Sequence, residues 1–205
     1  MSPIPRSPKR LLATLVAAVA LTVALVGCGS SDTDTAAPSS APSTETFLAE
    51  HGLAGLDAQE IIDKLDATPV TERPTDLMAS VRPTALVLSD GGQEVTLPLP
   101  ADTFYVSFAP YVTQTHECHF HSLTTCLGEL RSTPITVKAI DDRTGTVLVD
   151  RQQQTFDNGF AGLWLPKNID ATLTVSGEGR TASQAISTRG LDDATCLTTL
   201  HLVSA

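Results

Sequence analysis

Three of the chain's five histidines and two of its four cysteines fall within eleven residues, His116-Glu117-Cys118-His119-Phe120-His121-Ser122-Leu123-Thr124-Thr125-Cys126. Core packing does not concentrate such groups. Their chemistry is soft-metal ligation or thiol redox. A third thiol, Cys196, stands 70 residues beyond Cys126, and a fourth, Cys28, ends an apolar leader. Three thiolates select soft ions, Cu(I) above all and zinc second. Calcium or magnesium would need clustered carboxylates, and none occur at loop-like spacing. A blue-copper centre needs two histidines, one cysteine and a weak axial methionine. Met78 is the only methionine after the leader, and nothing beyond His201 can take the axial place.

If residues 116–121 are extended, alternation puts His116 and Cys118 on one face and His119 and His121 on the other. A turn through residues 122–125 can return Cys126 to Cys118, and Cys196 must join from a distant strand. Three readings follow. Cys118, Cys126 and Cys196 hold copper, with His116, His119 and His121 as auxiliary ligands that favour Cu(II). Alternatively, thiols plus His119 or His121 hold zinc. In the third, Cys118–Cys126 is a plain disulfide in a β-sandwich binding module, with Cys196 packed as a small hydrophobe. A thiol–disulfide oxidoreductase would prefer Cys-x-x-Cys at a helix N-terminus, a spacing this chain lacks. No other catalytic constellation stands out, so the chain reads as a metal-binding protein rather than an enzyme, Cu(II) reduction excepted.

The scaffold that must position these residues reads as mainly β. Residues 44–51 offer one helical turn carrying Phe47 and Leu48. Asp57-Ala58-Gln59-Glu60 is a capping box, and Ile61, Ile62 and Leu65 follow at helical spacing over 58–66. Beyond Pro74 the period becomes two. Strands are expected at 84–88, 94–97, 103–109, 135–140, 146–150, 162–165, 171–175, 182–187 and 196–203, with turns at Asp90-Gly91-Gly92 and at 141–145. Strands of this length and spacing suggest a sandwich or barrel. The expected organisation is a small helical region at 47–80 followed by a β-sandwich-like metal-binding domain at 81–205. Trp164 reads as a core anchor.

The first 27 residues read as an export signal. Arg6, Lys9 and Arg10 precede a 16-residue apolar run, 11–26, too short for a usual membrane span. Leu25-Val26-Gly27-Cys28 looks like a lipobox, in which Cys28 carries the lipid and becomes the mature N-terminus. Residues 28–46 then read as a flexible tether. The expected location is outside the cytoplasm, lipid-anchored to the outer face of the bacterial cell membrane or to the periplasmic side of an envelope membrane. Cleavage before Cys28 leaves 10 cations against 23 anions. That balance excludes nucleic-acid binding.

YVTQTHECHFHSLTTCLGEL, TGTVLVD, FDNGFAGLWLP and ISTRGLDDATCLTTLHL resemble the CueP family of exported copper-binding proteins, over roughly residues 53–202. The resemblance matches the family's three cysteines to Cys118, Cys126 and Cys196, and implies that these thiols bind copper. It further implies a role in copper resistance, reduction of Cu(II), and copper handover to an exported enzyme such as superoxide dismutase. It also implies a small N-terminal region before a β-rich domain. The lipobox and tether depart from a freely diffusing carrier.

Overall fold

The computed structural model describes residues 43–204; the signal segment, the lipobox with Cys28, and the tether up to residue 42 lie outside them. The first two elements form where local chemistry dictates. Helix α1, Thr44–Glu50, starts at Ser43, whose hydroxyl accepts from Thr46 N, and buries Phe47 and Leu48. Helix α2, Ala58–Ala67, carries the expected capping box: Glu60 N donates to Asp57 Oδ1, and Asp57 N donates to Glu60 Oε2, both at 2.9 Å. Ten residues are too few for a stable isolated helix, so packing must hold it. Ile61, Ile62 and Leu65 meet Ala79, Val81, Leu86 and Leu88 in one apolar cluster.

That partner surface is an antiparallel sheet of β1 Met78–Val81, β2 Ala85–Ser89 and β3 Glu94–Pro98. Strand β1 was not expected from the sequence. It has only four residues, and its second neighbour is a loop. Val81 N donates to His121 O at 2.8 Å, and Leu123 N to Ala79 O at 2.9 Å. The edge of this sheet therefore holds the cysteine-rich segment.

A second sheet has the order β10-β4-β7, from β4 Thr103–Phe108, β7 Ala161–Pro166 and β10 Cys196–Leu197. The third has the order β11-β9-β8-β5-β6, from β5 Pro134–Asp141, β6 Val147–Gln154, β8 Asp170–Gly177, β9 Arg180–Ser187 and β11 Val203–Ser204. These two sheets make the sandwich. Phe104, Val106, Phe108, Leu163 and Leu165 pack on Ile135, Val137, Ala139, Leu173 and Val175. The opposite face of β4 turns Tyr105 into the cluster of the helical layer, with Trp164 packed against it. Strand β4 is thus buried on both faces.

The single terminal strand expected at 196–203 is two strands in two sheets. β10 pairs in parallel with β4, and β11 pairs antiparallel with β9. Between them the chain crosses from one sheet to the other. Leu200 and Leu202 are buried in the sandwich core at the crossing, and Leu200 O and Leu202 N pair with Tyr111.

Candidate metal centre

The segment before the cysteines is pinned by one carboxylate. Glu129 Oε2 accepts from Val112 N at 2.8 Å, Thr113 N at 2.9 Å and Gln114 N at 3.3 Å, and Oε1 accepts from the Thr113 hydroxyl. These donors, led by the Thr113 hydroxyl, hold the Glu129 carboxyl down at about 2. Gly128 and Gly159 then cross backbone to backbone. A side chain at Gly128 would meet Gly159 O at 2.7 Å, and Gly159 has φ +81°. The FDNGF stretch thereby holds its turn close against the segment that follows Cys126, where Gly128 N donates to Asn158 O at 2.7 Å.

Cys196 reaches the loop through one carbonyl. His119 O accepts from Thr195 N at 3.0 Å and from Cys196 N at 3.1 Å. The Thr195 hydroxyl bridges further, accepting from His121 N and donating to Val81 O. Cys118 and Cys196 are joined as a disulfide, with Cα atoms 5.6 Å apart. The staple drawn from the sequence between Cys118 and Cys126 is therefore not the one formed, because β10 delivers Cys196 directly against Cys118. Cys126 is a free thiol, buried, with its Sγ 3.6 Å from Cys118 Sγ. The turn after Ser122 aims it: Cys126 N donates to Ser122 O, and Ser122 N donates back to Cys126 Sγ at 3.4 Å. All three sulfurs lie in one cluster with Ala109 and Phe160.

The histidines divide around this centre. One ring nitrogen of His116 groups with the sulfurs of Cys118 and Cys126, all within 4.8 Å of one another. One of His121 groups in the same way with Cys126 and Cys196. His119 belongs to neither group; its Nε2 faces Asp192 O at 2.9 Å. His201 stacks on Tyr111, and His51 sits near Asp90, both outside these groups. A surface cleft of about 310 Å³, lined by His116, Glu117, Cys118, Thr125, Cys126 and Leu127, opens onto the centre.

His121 is completely buried, and its Nε2 lies 2.9 Å from Asp66 Oδ1. Its Nδ1 has no hydrogen-bond partner. Asp66, also completely buried, accepts from Tyr105 Oη at 2.5 Å, Ser107 Oγ at 3.0 Å and Asn158 Nδ2 at 3.0 Å. Gly162 gives Tyr105 room for this reach, since any side chain there would strike the Tyr105 hydroxyl. Burial opposes both charges, yet the pair overcomes it. Burial alone would lower His121, but the Asp66 carboxylate pushes it up to about 9. Asp66 is lowered in turn, against its own burial, by His121, Tyr105 and Asn158. Burial raises the Cys126 thiol, but His121 and the Ser122 N–H more than offset it, leaving the thiol below its ordinary value. Arg73 Nη1 donates to Cys126 O at 2.8 Å.

Asp66, Tyr105, Asn158 and Arg73 were missed in the sequence. Asp66 carried a readable sign: it follows Ile62 by four residues, on the stripe that α2 buries. The other three carry no local sign.

Three cysteine sulfurs and a buried imidazole in a mainly β scaffold define a sulfur-rich centre whose donors, once reduced, suit soft metals. The family model described as "Periplasmic copper-binding protein CueP" matches residues 60–201. The chain belongs to the CueP family of periplasmic copper-binding proteins. It is similar to a solved crystal structure, that of S.CueP, at 50% identity and a TM-score of 0.74, covering 80% of this chain and 99% of that one. No curated protein matches. Among the described residues no helix is long and apolar enough to cross a membrane.

Proposed function

We propose that this protein is a lipid-anchored copper carrier that holds Cu(I) with Cys118, Cys126 and Cys196 and reduces Cu(II) with the same thiols. One observation carries the reading: the folded chain gathers, around one point, sulfurs that the sequence holds 8 and 78 residues apart. Two thiolates give one electron each to two Cu(II) ions, yielding two Cu(I) and one disulfide. The Cys118–Cys196 bond is the form such a turnover leaves, and a reductant must reopen it before the full donor set can bind Cu(I). His121 supports the inner side of the site, and His116 its open side. Imidazole suits Cu(II) and thiolate suits Cu(I), so an ion captured by nitrogen moves toward sulfur as it is reduced. Zinc is the weaker competitor for three thiolates.

The test is a set of serine variants of the reduced protein, measured by competition for Cu(I). Cys118→Ser, Cys126→Ser and Cys196→Ser should each weaken binding by about tenfold or more, and by similar amounts. His51→Ala should not. An inert Cys196 ends the three-thiolate reading. Copper and zinc offered together should leave copper bound; zinc retained would favour the zinc alternative. Delivery to an exported copper enzyme such as superoxide dismutase is the destination the family resemblance suggests.

The anchor rests on the lipobox. Cys28→Ser should shift the chain from the detergent phase to the aqueous phase, because the acyl chains hang on that residue. Retention in detergent would contradict the anchor.

A further inference from the structure

The disulfide and the free thiol touch. Cys126 Sγ lies 3.6 Å from Cys118 Sγ, and one ring nitrogen of His121 lies within 4.8 Å of the sulfurs of both Cys126 and Cys196. The attacking sulfur, the attacked sulfur and the leaving sulfur are therefore all in one cluster, with one imidazole ring beside the first and the last. We propose that Cys126 exchanges with the Cys118–Cys196 bond, so that the oxidised protein is a pair of interconverting disulfide isomers.

The step balances without any outside reagent. Cys126 gives up its proton and attacks Cys118 Sγ. A Cys118–Cys126 bond forms, the Cys118–Cys196 bond breaks, and its electron pair goes to Cys196. Cys196 then takes a proton, and His121 is placed to carry it between the two sulfurs. Nothing is oxidised or reduced overall, and exchange of this kind is the ordinary chemistry of a thiolate in contact with a disulfide. The released thiol cannot drift away. Cys196 is 2% exposed, and its backbone N–H stays bonded to His119 O.

The two isomers constrain the fold differently. Cys118–Cys196 ties residues 78 apart and clamps β10 to the loop. Cys118–Cys126 closes a short local ring and leaves β10 held without a covalent tie, by its hydrogen bonds and the packing of Leu197. The exchange thus removes the covalent tie on the terminal strand while keeping the protein oxidised. It also moves the one free thiol from Cys126 to Cys196. Cys118, the partly exposed member of the cluster, takes part in both bonds, so an outside reductant meets the same sulfur in either isomer. None of this requires copper, and the exchange stands or falls apart from the copper reading.

The experiment uses the full chain carrying Cys28→Ser, so that each counted thiol belongs to the centre. Oxidised, metal-free protein is equilibrated at neutral pH, quenched in acidic denaturant and labelled with a maleimide. Proteolysis without reduction and mass spectrometry then locate the label. We expect most of it on Cys126 and a minor population on Cys196, on the order of 1–10 %. A matching Cys118–Cys126 linked peptide should accompany the minor population. The ratio should shift reversibly when the temperature is changed before quenching. Label on Cys126 alone overturns the proposal. So does label on all three cysteines, which is undirected scrambling, or a ratio that never moves, which is two trapped products.

Discussion

The outer and inner sides of the sulfur centre use the same residue types and are built in opposite ways. On the outer side His116 and His119 are exposed, on a loop that touches the scaffold mainly through backbone hydrogen bonds and Glu129. On the inner side His121 is completely buried, and its carboxylate partner is fixed by donors from β4 and from the FDNGF turn. Burying an ionised pair is costly unless every remaining polar group is satisfied. The inner side meets most of that cost with three elements converging on Asp66, though His121 Nδ1 has no partner. The outer side avoids it by staying wet. On the proposed function, the inner side is preorganised to hold an ion and the outer side is free to catch one.

The largest expected effect lies on the inner side. Asp66→Ala removes the acceptor of three donors and strands the His121 ring in an apolar setting. It should destabilise the metal-free protein by about 3–5 kcal/mol, read from the denaturant midpoint. A loss no greater than that of an exposed-histidine variant would erase the distinction between the two sides.

The next effect is a pH dependence. Asp66 raises His121 from 6.5 to about 9 in the fold. A raised cationic group stabilises fully below its unfolded value and ceases to do so as pH climbs through its folded value. Stability of the metal-free protein should therefore decline between about pH 6.5 and 9. Cys126, whose thiol is lowered, acts in the opposite sense. The His121 contribution is isolated as the difference between the unmodified chain and His121→Gln, measured as thermal midpoints across the range. A difference that stays constant with pH would show that the buried pair is not ionised.

What the sequence reveals of this centre follows from how local each signal is. The capping box of α2 and the face shared by Phe104, Val106 and Phe108 are written within a few residues, and both stand in the fold. The split of His116 from His119 and His121 follows from simple alternation, but alternation also puts His119 with His121, and the fold separates them. One carbonyl, His119 O, explains this: by receiving β10 it keeps residue 119 at the surface while 121 turns inward. The choice of Cys196 over Cys126 as the partner of Cys118 depends on that same contact between distant segments, and spacing carries no trace of it. Asp66 belongs to a helix whose pattern marks it as the polar residue closing an apolar stripe. Only the packing of α2 on β4 turns it into the anchor of His121, 55 residues away.

The smallest expected effects lie on the outer side, and they test its proposed role most sharply. His116→Ala and His119→Ala, alone or together, replace exposed rings and should change stability by no more than about 0.5 kcal/mol. Cu(I) affinity should fall by less than about tenfold, since the three thiolates remain. The rate at which the reduced protein converts limiting Cu(II) should drop further than the affinity does, because imidazole prefers the cupric ion that arrives first. The yield should stay at two Cu(I) per disulfide formed, because the electrons come from sulfur. Stopped-flow absorbance with a Cu(I)-specific chelator reads both rate and yield in one trace. A slower rate at full yield assigns His116 and His119 to capture. If Cu(I) affinity instead falls as far as in Cys118→Ser, the outer histidines are holding ligands, and the difference between the two sides is one of burial only.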